Sequence, residues 1–240
     1  MVSYVITGTS RGIGLEFVKQ ISARGDTVFA CARNPDKSEG LQKLVDGKKV
    51  YGIKLDTTSE KSIKEAVEEI SKLAPEGVDV LINNAGIAGS YTDPEQAPKK
   101  EILEIFETNV LAVNEVTNAF LPLLRKRGPD RVKKILNMSS LLGSIELADF
   151  PEGTAYRIAK SGLNMLTKLQ STQLAKENFV VYASHPGLVK TDMSVDISKT
   201  FPDLVINPDE SISKQLAKLD NATAADSGKL IDYEGQVLKY

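Results

Sequence analysis

An apolar run at residues 2–6 breaks into Thr7-Gly8-Thr9-Ser10-Arg11-Gly12-Ile13-Gly14. Beyond it Leu15, Val18 and Ile21 recur at helical spacing. A strand that turns on glycines into a helix leaves few folds open. Glycine lets the chain turn tightly and lets backbone approach a ligand closely. The helix start then presents unpaired N–H groups to a phosphate. The strand before and the helix after favour a dinucleotide turn over a generic tight strand–helix turn. The spacing is Gly-x-x-x-Gly-x-Gly rather than Gly-x-Gly-x-x-Gly, and no lysine followed by Ser or Thr marks a P-loop.

The rest of the chain repeats strand and helix. Strand-like runs are expected at 27–32, 50–55, 78–82, 131–138, 179–184 and 230–232, with a turn at 233–235. Helices are expected at 14–23, 38–45 and 154–176. Another is capped by Thr58 or Ser59 and carries Ile63, Val67, Ile70 and Leu73 on one face. A long helical region at 98–124 is expected to break near Asn109, and 88–98, 143–153 and 193–209 read as loops. This alternation implies βαβ units and a parallel sheet with right-handed crossovers. The expected architecture is one α/β domain over 1–240, a doubly wound Rossmann-type sheet with helices on both faces.

Composition removes several classes. The 30 Lys and Arg nearly balance 32 Asp and Glu, so nucleic acid and anionic membrane surfaces have no electrostatic case. One cysteine, Cys31, and one histidine, His185, argue against a disulfide framework and against a metal site. No apolar run approaches 18 residues, and a soluble cytoplasmic protein is expected. Cys31 lies inside an apolar strand, where a buried, inert thiol is the default.

Two further segments bear on chemistry. The second strand ends Cys31-Ala32-Arg33-Asn34, with no acid before Asp36. An acidic residue there would accept from a ribose 2′-hydroxyl and repel a 2′-phosphate. Its absence, with Arg33 and Arg11 to clamp a phosphate, points to NADP rather than NAD. Tyr156 and Lys160 sit four apart in a helix and share a face. A nearby ammonium, together with an oxidised nicotinamide, would draw the phenol down from its usual value near 10. It could then exchange a proton with a substrate oxygen. Ser139 and Ser140 end the preceding strand, where such sheets hold ligands, and either hydroxyl could orient that oxygen.

Taken together, these motifs resemble the short-chain dehydrogenase/reductase family, nearly end to end. The turn bearing Gly8, Ser10, Arg11, Gly12, Ile13 and Gly14 matches the family's nucleotide turn. Asp56 matches its adenine-contacting acid, and Asn83-Asn84-Ala85-Gly86 the motif after its fourth strand. Asn109, Ser140, Tyr156 and Lys160 match its catalytic set. Pro186, Gly187, Val189 and Thr191 match the loop that holds the nicotinamide. Within the family the chain looks most like the small carbonyl reductases related to sniffer and the bacterial C-factor protein.

The resemblance implies a seven-stranded parallel sheet in the order 3-2-1-4-5-6-7. It implies NADPH as cofactor, a small-molecule carbonyl substrate and a homodimer or homotetramer, with monomers also found among the carbonyl reductases. In that reading Tyr156 supplies a proton, Ser140 holds the substrate oxygen and Lys160 binds the nicotinamide ribose. Asn109 holds a relay water. Arg33, Asp56, Asn83, Ala85, Gly86 and Tyr156 itself line the cofactor. A cofactor-binding regulatory protein with little turnover is the competing function, and an epimerase or dehydratase a lesser one. Two departures stand out: Ser140 and Tyr156 are 16 residues apart, slightly more than usual, and His185 occupies a position that is often small and polar.

Overall fold

The computed structural model describes residues 1–240, the side chain of Asp196 excepted. The strands are β1 (Ser3–Thr7), β2 (Thr27–Ala32), β3 (Val50–Lys54), β4 (Val80–Asn83), β5 (Lys133–Met138), β6 (Phe179–His185), β7 (Leu188–Val189), β8 (Val205–Ile206), β9 (Leu230–Asp232) and β10 (Val237–Leu238). The helices are α1 (Gly12–Ala23), α2 (Glu39–Gln42), α3 (Glu60–Leu73), α4 (Lys99–Phe106), α5 (Ala112–Arg125), α6 (Thr154–Leu174), α7 (Val195–Thr200) and α8 (Pro208–Asn221).

Eight strands form the main sheet in the order β10-β9-β6-β5-β4-β1-β2-β3. Seven are parallel in the expected order. The eighth, β10, adds an antiparallel edge to β9 through the turn expected at 233–235. β7 and β8 pair separately.

Alternation along each strand sorts its side chains to the two faces. Tyr4 and Ile6 of β1 join Phe17, Val18 and Ile21 of α1 and Ile212, Leu216 and Leu219 of α8. Val5 faces the other way, with Phe29, Ile63 and Ile70 of α3 and Val116, Phe120 and Leu124 of α5. Both faces are covered, so the central strands read as continuous apolar runs.

Three differences from the sequence reading have physical causes. α8 lies in a stretch with no expected element, because its buried face mixes Ile212, Leu216 and Leu219 with Ser211 and Gln215. α7 occupies part of the expected loop at 193–209. β5 starts two residues later than expected, since Val132 is exposed. The expected break near Asn109 is a π-helical segment, Glu107–Leu111, between α4 and α5.

Candidate active site

Thr7, Asn83, Met138 and His185 end four parallel strands at one edge of the sheet. β1 lies between β2 and β4, so the chain reverses direction across the sheet there. That switch point is where such sheets open a crevice.

Its floor is stitched by Asn84. The Asn84 amide donates to the carbonyls of Thr7 and Gly8 at 2.9 and 3.1 Å. The Thr7 hydroxyl accepts from the backbone N–H groups of Asn84 and Ala85, both at 3.0 Å. Gly8 has φ +71°, and a Cβ there would come within 2.8 Å of Ala85 Cα. A Cβ on Gly14 would strike the Gly8 carbonyl. On the other side Thr9 ties the turn to β2, its hydroxyl donating to the Cys31 carbonyl at 3.0 Å. Cys31 is fully buried and its thiol is pushed up by burial, as expected of an inert group.

The start of α1 is open. Arg11 precedes it in extended conformation without a side-chain cap, and the first turn holds no acid. Arg11 reaches Asp192 at 3.5 Å, with both side chains exposed. A Cβ built on Gly12 would lie 3.4 Å from the Thr191 methyl, so the turn abuts the loop after β7. Ser10 accepts at its carbonyl from Ser38 at 2.7 Å. Arg33 is exposed just past β2. Asp56 accepts from the Thr58 N–H and hydroxyl at 3.1 and 2.9 Å.

The second group sits on α6 and β5. Lys160 is buried, donates to the Met138 carbonyl at 2.7 Å and stands 5.4 Å from the Tyr156 ring centre. Burial lowers its pKa to about 8. The Ser140 hydroxyl accepts from the Leu142 N–H at 3.1 Å. Tyr156 is half-buried. Burial pushes its phenol up to about 12, and the Ser140 side chain opposes that shift. In the chain alone the phenol is therefore held protonated, the reverse of the direction expected from the ammonium.

Asn109, Gly86 and Lys160 converge. A Cβ on Gly86 would lie 3.0 Å from Asn109 Oδ1 and 3.9 Å from Lys160 Nζ. The Asn109 side chain brackets Ile87, accepting from its N–H at 2.9 Å and donating to its carbonyl at 2.8 Å. Gly187 has φ +81° and packs near Ile206 and Tyr233. Val189 is buried, and the Pro186 carbonyl accepts from Ser211 at 2.6 Å. Thr191 caps the next turn with Ser194.

Asn83 and Ser139 turn inward. The Asn83 amide donates to Thr117 at 3.0 Å and to Asn137 at 2.8 Å, below the crevice. The Ser139 hydroxyl donates to Asn164 at 2.6 Å, which leaves Ser140 as the serine nearer the phenol. Asn84 is the residue whose side chain the sequence reading passed over, although it sits inside the motif that reading singled out. His185 keeps an unpartnered, buried Nδ1, and burial lowers its pKa to about 4.

Comparison with known proteins places this geometry. The family profile described as short chain dehydrogenase matches residues 3–201. An uncharacterized oxidoreductase of Schizosaccharomyces pombe is 36% identical over 99% of this chain and 97% of its own. The NADPH-bound carbonyl reductase from chicken fatty liver superposes with a TM-score of 0.90 at 34% identity, covering 99% of this chain and 98% of that one. The carbonyl reductase Sniffer of D. melanogaster superposes at 0.92 and 29% identity over 100% of both chains. The chain thus belongs to the short-chain dehydrogenase family of oxidoreductases.

Proposed function

We propose that the chain is an NADPH-dependent carbonyl reductase, converting a ketone, diketone, aldehyde or quinone to the alcohol. The observation that carries this reading is the Tyr156–Lys160 pair, anchored to the end of β5 at Met138 beside Ser140. A protein that only senses a nucleotide has no use for a proton donor there.

The residues present fit a nicotinamide dinucleotide. Glycines 8, 12 and 14 clear the approach to an uncapped, acid-free helix start, which suits a pyrophosphate. Arg11 and Arg33 would meet a 2′-phosphate, and Asp56 the adenine. Ala85 and Gly86 would line the cofactor, as would the main chain at Asn83. Pro186, Gly187, Val189 and Thr191 would hold the nicotinamide end, and Lys160 its ribose. Bound NADPH supplies a hydride. The relatives of like fold include the NADPH-bound chicken enzyme, which supports this choice of cofactor.

The chain's own groups supply the rest. A phenol held near 12 is protonated at neutral pH, so Tyr156 is a proton donor to the substrate oxygen. The Leu142 N–H occupies a lone pair on Ser140, leaving the hydroxyl proton to point at that same oxygen. Lys160 is cationic below about pH 8 and favours charge moving onto Tyr156 as the proton leaves. Asn109 braces the Ile87 backbone beside Lys160 and in this reading would hold a relay water.

The outer faces of α4, α6 and the segment between α4 and α5 expose Leu103, Leu111, Ile158, Met165 and Leu169. They support pairing into a homodimer or homotetramer, which light scattering would test. The function itself is tested with NADPH and a panel of aldehydes, diketones and quinones. Turnover that vanishes in Tyr156→Phe is expected. Tight NADPH binding with no turnover across the panel would favour a regulatory binder instead.

A further inference from the structure

Arg157 follows the phenol on α6. The residue is 9% exposed, and its Nε donates to the Glu152 carbonyl at 2.8 Å. The guanidinium lies 4.1 Å from the Phe150 ring centre. Both Nη nitrogens are buried and have no hydrogen-bond partner. A guanidinium stays charged at any working pH. Burying its N–H groups without acceptors is costly, and a cation–π contact offsets only part of that. The carboxylates of the same loop do not relieve it. Glu146 pairs with Lys239, Glu152 offers only its main-chain carbonyl, and Asp149 forms no ion pair with Arg157 among the described residues.

The position is as telling as the missing partners. The loops that leave β4 and β5 meet over this side chain. The Thr92 carbonyl accepts from the N–H groups of Gly153 and Thr154 at 3.0 and 3.1 Å, and from the Thr154 hydroxyl at 3.1 Å. The Tyr91 and Phe150 rings lie 6.3 Å apart on the outside of that seam, both partly exposed. Both loops rise from the strand ends that form the crevice, and the guanidinium, one position after Tyr156 in the sequence of α6, is roofed by a surface aromatic.

We propose that Arg157 is an anion subsite of the substrate mouth, selecting carbonyl compounds that carry a carboxylate. Phe150 covers it in the empty site and moves aside as the carboxylate engages both Nη groups. A bidentate guanidinium–carboxylate pair supplies the acceptors the side chain lacks. The inference rests on the carbonyl-reductase reading and deepens it by naming the substrate class.

The test compares 4-formylbenzoate with its methyl ester, using the full chain and NADPH. The wild type is expected to favour the carboxylate in kcat/KM, with a preference that shrinks as salt is added. Arg157→Gln is expected to raise KM for the carboxylate about tenfold or more while leaving the ester unchanged. Arg157→Lys should restore part of the preference. Parallel changes for both compounds would mean that Arg157 only holds the loop, and would overturn the subsite. If Arg157→Gln does not fold, Phe150→Ala decides: a lower KM for the carboxylate alone supports the proposal, and equal shifts refute it. Ester turnover without any preference for the acid overturns the subsite alone. No turnover of either compound or of any neutral aldehyde overturns the reductase reading and the subsite together.

Discussion

Lys160 Nζ donates to the Met138 carbonyl at 2.7 Å, and Met138 is two residues before Ser140. One hydrogen bond therefore fixes the ammonium of α6 and the strand end that carries the serine. The same burial that protects this bond lowers the Lys160 pKa to about 8.

NADPH binding is accordingly expected to depend on pH. Lys160 is cationic below its folded pKa and loses its charge as pH rises through about 8. Affinity should fall over that window, read by NADPH fluorescence titration. Lys160→Met should bind weakly and show no such step. An unchanged step in that variant would assign it to another group.

In the proposed mechanism Tyr156→Phe removes the proton donor and little else. The phenol makes no hydrogen bond to the glycine turn among the described residues, so cofactor affinity should fall far less than turnover. Turnover should drop by about 10²–10⁴, the usual worth of a positioned acid. Single-turnover absorbance of NADPH with a diketone measures it directly.

Arg33→Ala probes cofactor choice. The KM for NADPH should rise about tenfold or more through loss of a charge-assisted pair, and that for NADH should barely move. Equal changes in the two would remove Arg33 from the 2′-phosphate site.

Gly14→Ala tests close approach without backbone strain. Its Cβ would meet the Gly8 carbonyl and the Asn84 amide, neither at the end of a long flexible chain. A loss of about 1–3 kcal/mol in urea unfolding is expected, as for other overpacked sites. NADPH binding should be lost with it.

Asp79 lies at the opposite end of the sheet. It is buried and takes a bidentate pair from Arg127 at 2.7 and 2.8 Å, with Ser3 donating from its N–H and hydroxyl, both at 2.9 Å. Its carboxyl is held below the usual range although burial works against it: the Arg127 and Ser3 hydrogen bonds outweigh that cost. A depressed pKa gives stability that is present above the unfolded value, near 4, and is lost as pH falls through the folded one. Arg127→Met leaves the buried carboxylate with only Ser3 and a longer, more exposed pair to Arg131 at 3.4 Å, and should cost up to about 3 kcal/mol at neutral pH, with kcat unaffected at moderate temperature. Chemical denaturation at pH 7 and pH 3 checks both the size and the sign.

Strands were the most legible elements. Residues 27–32 and 230–232 are strands with the expected bounds, because fully covered strands are apolar throughout. The grouping of Ser140, Tyr156 and Lys160 was legible because Tyr156 and Lys160 share a helical face and Ser140 follows a strand end. α8 was not, since two of its buried positions are Ser211 and Gln215, satisfied by the Pro186 carbonyl and by each other. Its start was nonetheless marked by Asn207, Pro208, Asp209 and Glu210, a good opening for a helix. The inward turn of the Asn83 amide could not be read, because its partners Thr117 and Asn137 lie 34 and 54 residues away.

The π-helical segment at Glu107–Leu111 lets one continuous rod serve two masters. An extra residue in that turn resets the helical phase, so α5 keeps Val116 and Phe120 on the sheet and Val113 against α6 while Asn109 still points to the Ile87 backbone. Deleting a single residue from this stretch would give a straighter, more regular helix and withdraw the asparagine from its post. Here local irregularity is the cost of placing a polar group at depth, and a mutation that idealised the helix would be expected to harm the chemistry.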